Sequence, residues 1–236
     1  MTSNRGEWAE IGRRETVFDG MPWALYLPRY TEFTLTPLTD SFEVAHAWVP
    51  LADLDITEDY PARLIRPEDS KIEIRGGHHA TRQINSIIPP GFPCHRLVCV
   101  EVFTPHGNWS SYPPHKHDTH QLDAAGNLVE ADLEEFYYFK IRNDVSAGRG
   151  NGYAIQRVYT DDGSLDETMC VHDGDVTLVP RGYHPCGTAH GYDLYYLNVM
   201  AGPGERAWRI CDDPAHTWVR GTWDDQEVDP RLPFGS

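Results

Sequence analysis

Apolar residues along this chain fall into short runs with polar neighbours between them, broken every few positions by glycine or proline. Residues 23–28, 32–36 and 42–49 read this way near the start, and 96–103, 134–140, 153–159, 175–180 and 192–200 do so later. A period of two puts residues i and i+2 on one face, so each run predicts a β-strand, with Gly163 and Gly174 at turns between them. Residues 50–69 are acidic and contain prolines, which predicts a surface connection with at most a turn of helix over 51–54. The stretch 121–132 reads as a polar excursion, and the tail from Asp212 as a wrap around the body or a neighbouring subunit. Long helical periodicity is absent. Many short strands without crossover helices predict an antiparallel sandwich or jelly-roll barrel.

Within that frame one stretch carries chemistry. Residues 109–118 read Trp-Ser-Ser-Tyr-Pro-Pro-His-Lys-His-Asp, which places His115 and His117 on one face of an extended strand with Lys116 on the other. Glu134, at the head of an aromatic run, and His184, in the turn Pro-Arg-Gly-Tyr-His-Pro, complete a set of three imidazoles and one carboxylate. Such a set suits a divalent first-row metal and leaves coordination positions open. Alternation lets only one of Glu134 and Glu135 face inward. His78 and His79, being adjacent, point to opposite faces and make a poor chelate, and His46 has no second histidine beside it.

Acidic residues outnumber basic ones 36 to 20, a formal net charge of −16. That balance argues against nucleic acid and against an anionic membrane surface as partners, while a small anionic substrate stays compatible with a few focused arginines. Five cysteines without Cys-x-x-Cys spacing argue against a disulfide framework. Nothing resembles a signal peptide or an apolar run long enough to span a bilayer, so the expectation is a cytoplasmic protein.

His115, His117 and Glu134, followed by Gly174, Pro180, Gly182 and His184, resemble the two motifs of the cupin superfamily. A narrower match covers residues 104–118, 133–138, 179–185 and 192–202, with Arg75-Gly76 and Arg82 as fainter echoes. It resembles the 5-deoxy-glucuronate isomerases of bacterial inositol catabolism, to which the pectin-pathway uronate ketol isomerases are related. The resemblance implies an all-β double-stranded β-helix (cupin jelly-roll) in a two-cupin arrangement with an N-terminally shortened first barrel. Residues 1–95 would form the shortened cupin-like unit, and 96–236 the metal-binding cupin with its tail. It also implies aldose–ketose isomerisation of 5-deoxy-D-glucuronate to 5-dehydro-2-deoxy-D-gluconate, on a divalent ion (Zn, Mn or Fe) held by His115, His117, Glu134 and His184. The family pattern favours Glu134 over Glu135. The substrate, a small sugar acid, needs a cation for its carboxylate; Arg157 and Arg181 are the candidates, Arg157 first because its strand lies between the two motifs. Asp118 would orient a ligand imidazole or shuttle the proton. Uncovered sheet edges would favour a homo-oligomer. Two other readings use the same barrel: an Fe(II) dioxygenase, which would consume oxygen, and a non-catalytic sugar-binding cupin, which would tolerate loss of the metal.

Overall fold

The structure of the chain, a computed structural model, describes residues 1–234. Its main body is two antiparallel sheets. The larger has six strands, in the order Val176–Val179, Glu134–Ile141, Leu194–Ala201, Val98–Thr104, Arg82–Ile88 and Lys71–Arg75. The smaller has four, Asp166–Val171, Ala154–Tyr159, Cys186–Thr188 and Trp109–Ser110. Val98, Val100, Val102, Phe139, Leu194 and Met200 from the first sheet pack with Ala154, Val158, Val171 and Cys186 from the second into one core. This is the expected all-β jelly-roll.

Alternation sets which side chains enter that core. Along Glu134–Ile141 the buried positions are Glu135, Tyr137, Phe139 and Ile141, every second residue. Register carries the same parity across neighbours, with Tyr137 opposite Asn198, Phe139 opposite Tyr196, and Tyr196 opposite Val102. The reverse face of the sheet is covered too. Phe18 from the N-terminal segment packs edge-on against Phe103 and Tyr195, and Phe234 against Phe103. A sheet covered on both faces needs central strands that are nearly continuously apolar, which is how residues 98–104 read.

The expected division between residues 95 and 96 falls inside this sheet: Arg82–Ile88 pairs with Val98–Thr104 from Gln83 opposite Phe103 to Ile88 opposite Cys99. A second small core of Tyr26, Ile65, Ile87, Ile88, Phe92 and Cys94 fastens the paired strands Ala24–Tyr26 and Arg63–Ile65 to the body. Residues 42–49, read as a strand, pair with no strand among the described residues, and Phe42, Val44 and Trp48 are exposed. Their alternation is real, but a strand also needs a free edge beside it. The polar excursion is a hairpin, Asp118–Leu122 with Leu128–Asp132, turned by Asp123, whose Oδ1 accepts the amides of Ala125 and Asn127. Among the described residues no helix is long and apolar enough to cross a membrane.

Candidate metal centre

Three local devices bring the histidines together. His115 sits on the two-residue strand His115–Lys116, which pairs with Cys211–Asp212 of the tail, so the tail that the sequence placed on the outside fixes one side of the site. His117 follows where the chain turns into the hairpin, exchanging bonds with Leu133: the Leu133 amide donates to the His117 carbonyl at 2.8 Å, and His117 Nδ1 meets the Leu133 carbonyl at 2.9 Å. His184 comes from the loop between the Val176–Val179 and Cys186–Thr188 strands. There Gly182 takes φ +90, and a Cβ would stand 2.4 Å from the Tyr159 carbonyl, so only glycine fits.

All three rings are held the same way. Nδ1 of His115 lies 3.0 Å from the Pro113 carbonyl, Nδ1 of His117 faces Leu133, and Nδ1 of His184 lies 2.8 Å from the Gly182 carbonyl. A carbonyl only accepts, so Nδ1 carries the proton, and each neutral ring presents the Nε2 lone pair. The ring of His184 is 5.0 Å from that of His115 and 5.1 Å from that of His117. Opposite them stands Glu135, 6% exposed, with Oε1 at 2.9 Å from His184 Nε2 and Oε2 at 3.6 Å from His117 Nε2. Asn198 Nδ2 donates to Oε2 at 3.0 Å and fixes the carboxylate plane.

Ligand atoms of His117, Glu135 and His184 all lie within 4.8 Å of one another, and all three residues are buried. Glu135 Oε1 and His184 Nε2 are fully buried, and among the described residues neither has a hydrogen-bond partner. With Nδ1 carrying the ring proton, Glu135 Oε1 and His184 Nε2 face each other as two acceptors, an arrangement that a cation between them relieves, so the donor set fits a metal ion. Charge effects at His115 and Glu135 agree. Burial, reinforced by His184 and His117, holds the His115 pKa well below its ordinary value and keeps that ring neutral. Burial would raise Glu135, but His184 and His117 outweigh it and hold the carboxyl well below the usual range. Burial would lower His117, but Glu135 outweighs it and favours a positive charge at this ring, the charge that a cation held at Nε2 would supply instead.

The structure corrects three of the expected site residues. Glu134 is exposed, and its parity partners are Phe136, Tyr138 and Lys140 on the outer face; the inward carboxylate is Glu135. Lys140 was the signal available, because a lysine belongs on the wet side and assigns Glu134 to the same side. Arg157 alternates outward from Gln156 and Val158, lies over the Tyr159 ring at 4.0 Å, and is paired with Asp166 at 2.7 and 2.8 Å. Arg181 is exposed and donates to Ser164 Oγ. Neither guanidinium enters the barrel.

Asp118 acts through the backbone. Its Oδ2 accepts the Gly182 amide at 2.7 Å, and the carbonyl of that same Gly182 orients His184; Oδ1 pairs with Lys116 at 2.7 Å. Burial would raise the carboxyl, but Lys116 and the Gly182 amide pull it down to about 2. A folded pKa below the unfolded one gives stability that is present above about pH 4 and fades as pH falls toward 2. Asp118→Asn is therefore expected to lose about 1–2 kcal/mol at pH 7. In urea denaturation the gap to the unaltered protein should narrow below about pH 3; a gap independent of pH would contradict the ionic role.

Comparison with known proteins places this geometry. Residues 1–219 match the KduI/IolB family. A 5-deoxy-glucuronate isomerase of Geobacillus thermodenitrificans (strain NG80-2) is 47% identical over 213 residues, 90% of this chain and 71% of the relative. One from Bacillus subtilis (strain 168) is 42% identical over 221 residues, 93% of this chain and 75% of the relative. Among solved structures, an IolB-like protein from Salmonella typhimurium LT2 is 44% identical with a TM-score of 0.62, covering 69% of this chain and 57% of that one. The inward His115, His117, Glu135 and His184 thus sit in a scaffold with close relatives, and the chain belongs to the KduI/IolB family.

Proposed function

We propose that this chain is a metal-dependent 5-deoxy-glucuronate isomerase, interconverting the aldose acid and 5-dehydro-2-deoxy-D-gluconate. The observation that carries the reading is the convergence of His117, His184 and the buried Glu135 carboxylate, with the His115 ring 5.0 Å from that of His184, inside a barrel whose relatives bear that name. His115, His117, Glu135 and His184 would hold the ion, and three imidazoles with one carboxylate suit Zn, Mn or Fe(II). When bound, the metal supplies a Lewis acid for the sugar carbonyl and its neighbouring hydroxyl.

The protein's own groups do the rest. Pro113, Leu133 and Gly182 carbonyls hold the imidazoles so that no ring must turn during the reaction. Tyr137 and Tyr196 line the interior beside the centre, with Tyr137 Oη 2.9 Å from Ser111 Oγ. Burial, then the charge of Glu135, raises the Tyr137 phenol well above its ordinary value, so it remains protonated and serves as a donor. Its Oη can donate to the oxygen that gains charge as the proton moves between the two carbons through an enediol. The buried aromatic rings keep bulk water from that intermediate.

Removal of the metal separates this reading from a sugar-binding cupin. Chelation is expected to lower ketose formation by at least about 10²-fold, with recovery on adding a divalent ion back. It should also lower the melting temperature, since the ion binds only the folded chain. Turnover unaffected by thorough chelation would overturn the metal-dependent reading, and oxygen consumed in step with substrate would favour the dioxygenase.

A further inference from the structure

Arg82 opens the Arg82–Ile88 strand on the same face as Ile84, and Ile84 packs against the core between the sheets. The guanidinium is therefore carried inward, and the residue is 3% exposed. It has five N–H donors to satisfy. Among the described residues it makes one hydrogen bond, from Nη1 to the Ala80 carbonyl at 3.1 Å, and no ion pair. The Trp223 ring of the Thr217–Asp225 helix covers it at 5.5 Å. Burial, with Arg75 and Arg220 adding like charge, lowers its pKa to about 10, which still leaves a full positive charge at neutral pH.

Other enclosed guanidinium groups are held by carboxylates or by several carbonyls of the protein itself. Arg14 is bound by Glu101, Arg96 by Asp53 and the Pro50 carbonyl, and Arg206 by the carbonyls of Pro89, Phe92, Cys94 and Leu97. A buried cation with one weak partner is costly to maintain, and an anion is what relieves it.

Its position relative to the metal centre follows from the groups between them. Register sets Ile84 opposite Val102 and Val102 opposite Tyr196, so Arg82, two residues before Ile84 on the same face, lies one row from Tyr196. Tyr196 Oη lies 3.4 Å from Ser111 Oγ, Ser111 reaches Tyr137, and the Tyr137 ring stands 6.2 Å from that of His184. Arg82 and the metal centre thus lie at two ends of one polar seam inside the barrel. We propose that Arg82 receives the carboxylate of the substrate while its carbonyl end lies at the His115, His117, Glu135 and His184 centre. This rests on the isomerase reading and assigns the role that Arg157 and Arg181, both outside, cannot fill. A planar fork with free donors suits a carboxylate better than an ammonium would.

The test compares kcat/KM of the metal-loaded protein for 5-deoxy-glucuronate and for the neutral analogue with a hydroxymethyl group in place of the carboxylate. The unaltered protein is expected to prefer the acid by about 10²-fold. Arg82→Gln should abolish that preference, the loss falling on KM more than on kcat, and Arg82→Lys should retain part of it. An Arg82→Gln variant that still prefers the acid as strongly overturns the inference and leaves the isomerase reading intact. Unaltered, metal-loaded protein inactive on both compounds would instead sink the isomerase reading itself, and this inference with it. Should the variants not fold, crystals of the unaltered protein soaked with substrate decide: a carboxylate oxygen hydrogen-bonded to Arg82 supports the assignment, and a carboxylate held by any other cation refutes it.

Discussion

Glu135→Gln is expected to lower kcat/KM by about 10²–10³-fold, the loss that follows removal of one main electrostatic element of a site, while Glu134→Gln should stay within about twofold. The two glutamates are adjacent in sequence and opposite in environment. Glu135 faces His117 and His184 from the buried side of the Glu134–Ile141 strand, and Glu134 stands on the exposed side. Glutamine keeps the size and the Asn198 contact but removes the charge that a cation between Glu135 and His184 requires. Metal content should therefore fall with activity in Glu135→Gln and remain full in Glu134→Gln. Equal losses in the two variants, or a loss confined to Glu134→Gln, would contradict the inward parity on which the site is built.

The largest expected effect on stability lies on the opposite face of the same sheet. Glu101, 1% exposed, is held by Arg14, which reaches it from the N-terminal segment, with help from Tyr195 Oη at 2.9 Å and Asn85 Nδ2 at 3.4 Å. Arg14 also donates to the carbonyls of Val17 and Gly20, so it ties its own loop to the sheet. Arg14→Met leaves a buried carboxylate with two neutral donors, and breaking a buried pair in this way costs about 3–5 kcal/mol. Adding Glu101→Leu to Arg14→Met should recover most of that loss, because replacing both partners by apolar groups removes the charge and the need to solvate it. Urea denaturation of the two variants reads both values. A single variant within about 1 kcal/mol of the unaltered chain would mean that the N-terminal segment does not depend on this pair.

Much of this was legible in the sequence, and its limits have physical causes. The strands 98–104, 134–141 and 194–201 announced themselves by alternation and length, and His-x-His by its spacing, because those signals are local. The choice between Glu134 and Glu135 was harder because Phe136 and Tyr138 on one face are as aromatic as Tyr137 and Phe139 on the other. The outer face is itself partly covered, with Glu43 accepting from Tyr138 Oη at 2.6 Å, so hydrophobicity does not distinguish the sides and only Lys140 does. Arg157 looked well placed because it lies between the two motifs, yet parity turns it outward, and no motif spacing reports parity. Arg82 was invisible as a site residue for the converse reason. Its meaning comes from what does not pair with it, and from the Trp223 ring that the tail lays over it from about 140 positions away in sequence.

The most direct measurement is the fate of 5-deoxy-glucuronate incubated in D₂O with the metal-loaded, folded protein and followed by proton NMR. The account predicts that the aldose is converted to the ketose acid, that solvent deuterium enters the product at the carbon that receives the migrating proton, and that both cease on chelation. An aldose spectrum unchanged after prolonged incubation, in protein whose metal content and fold are confirmed, would contradict it.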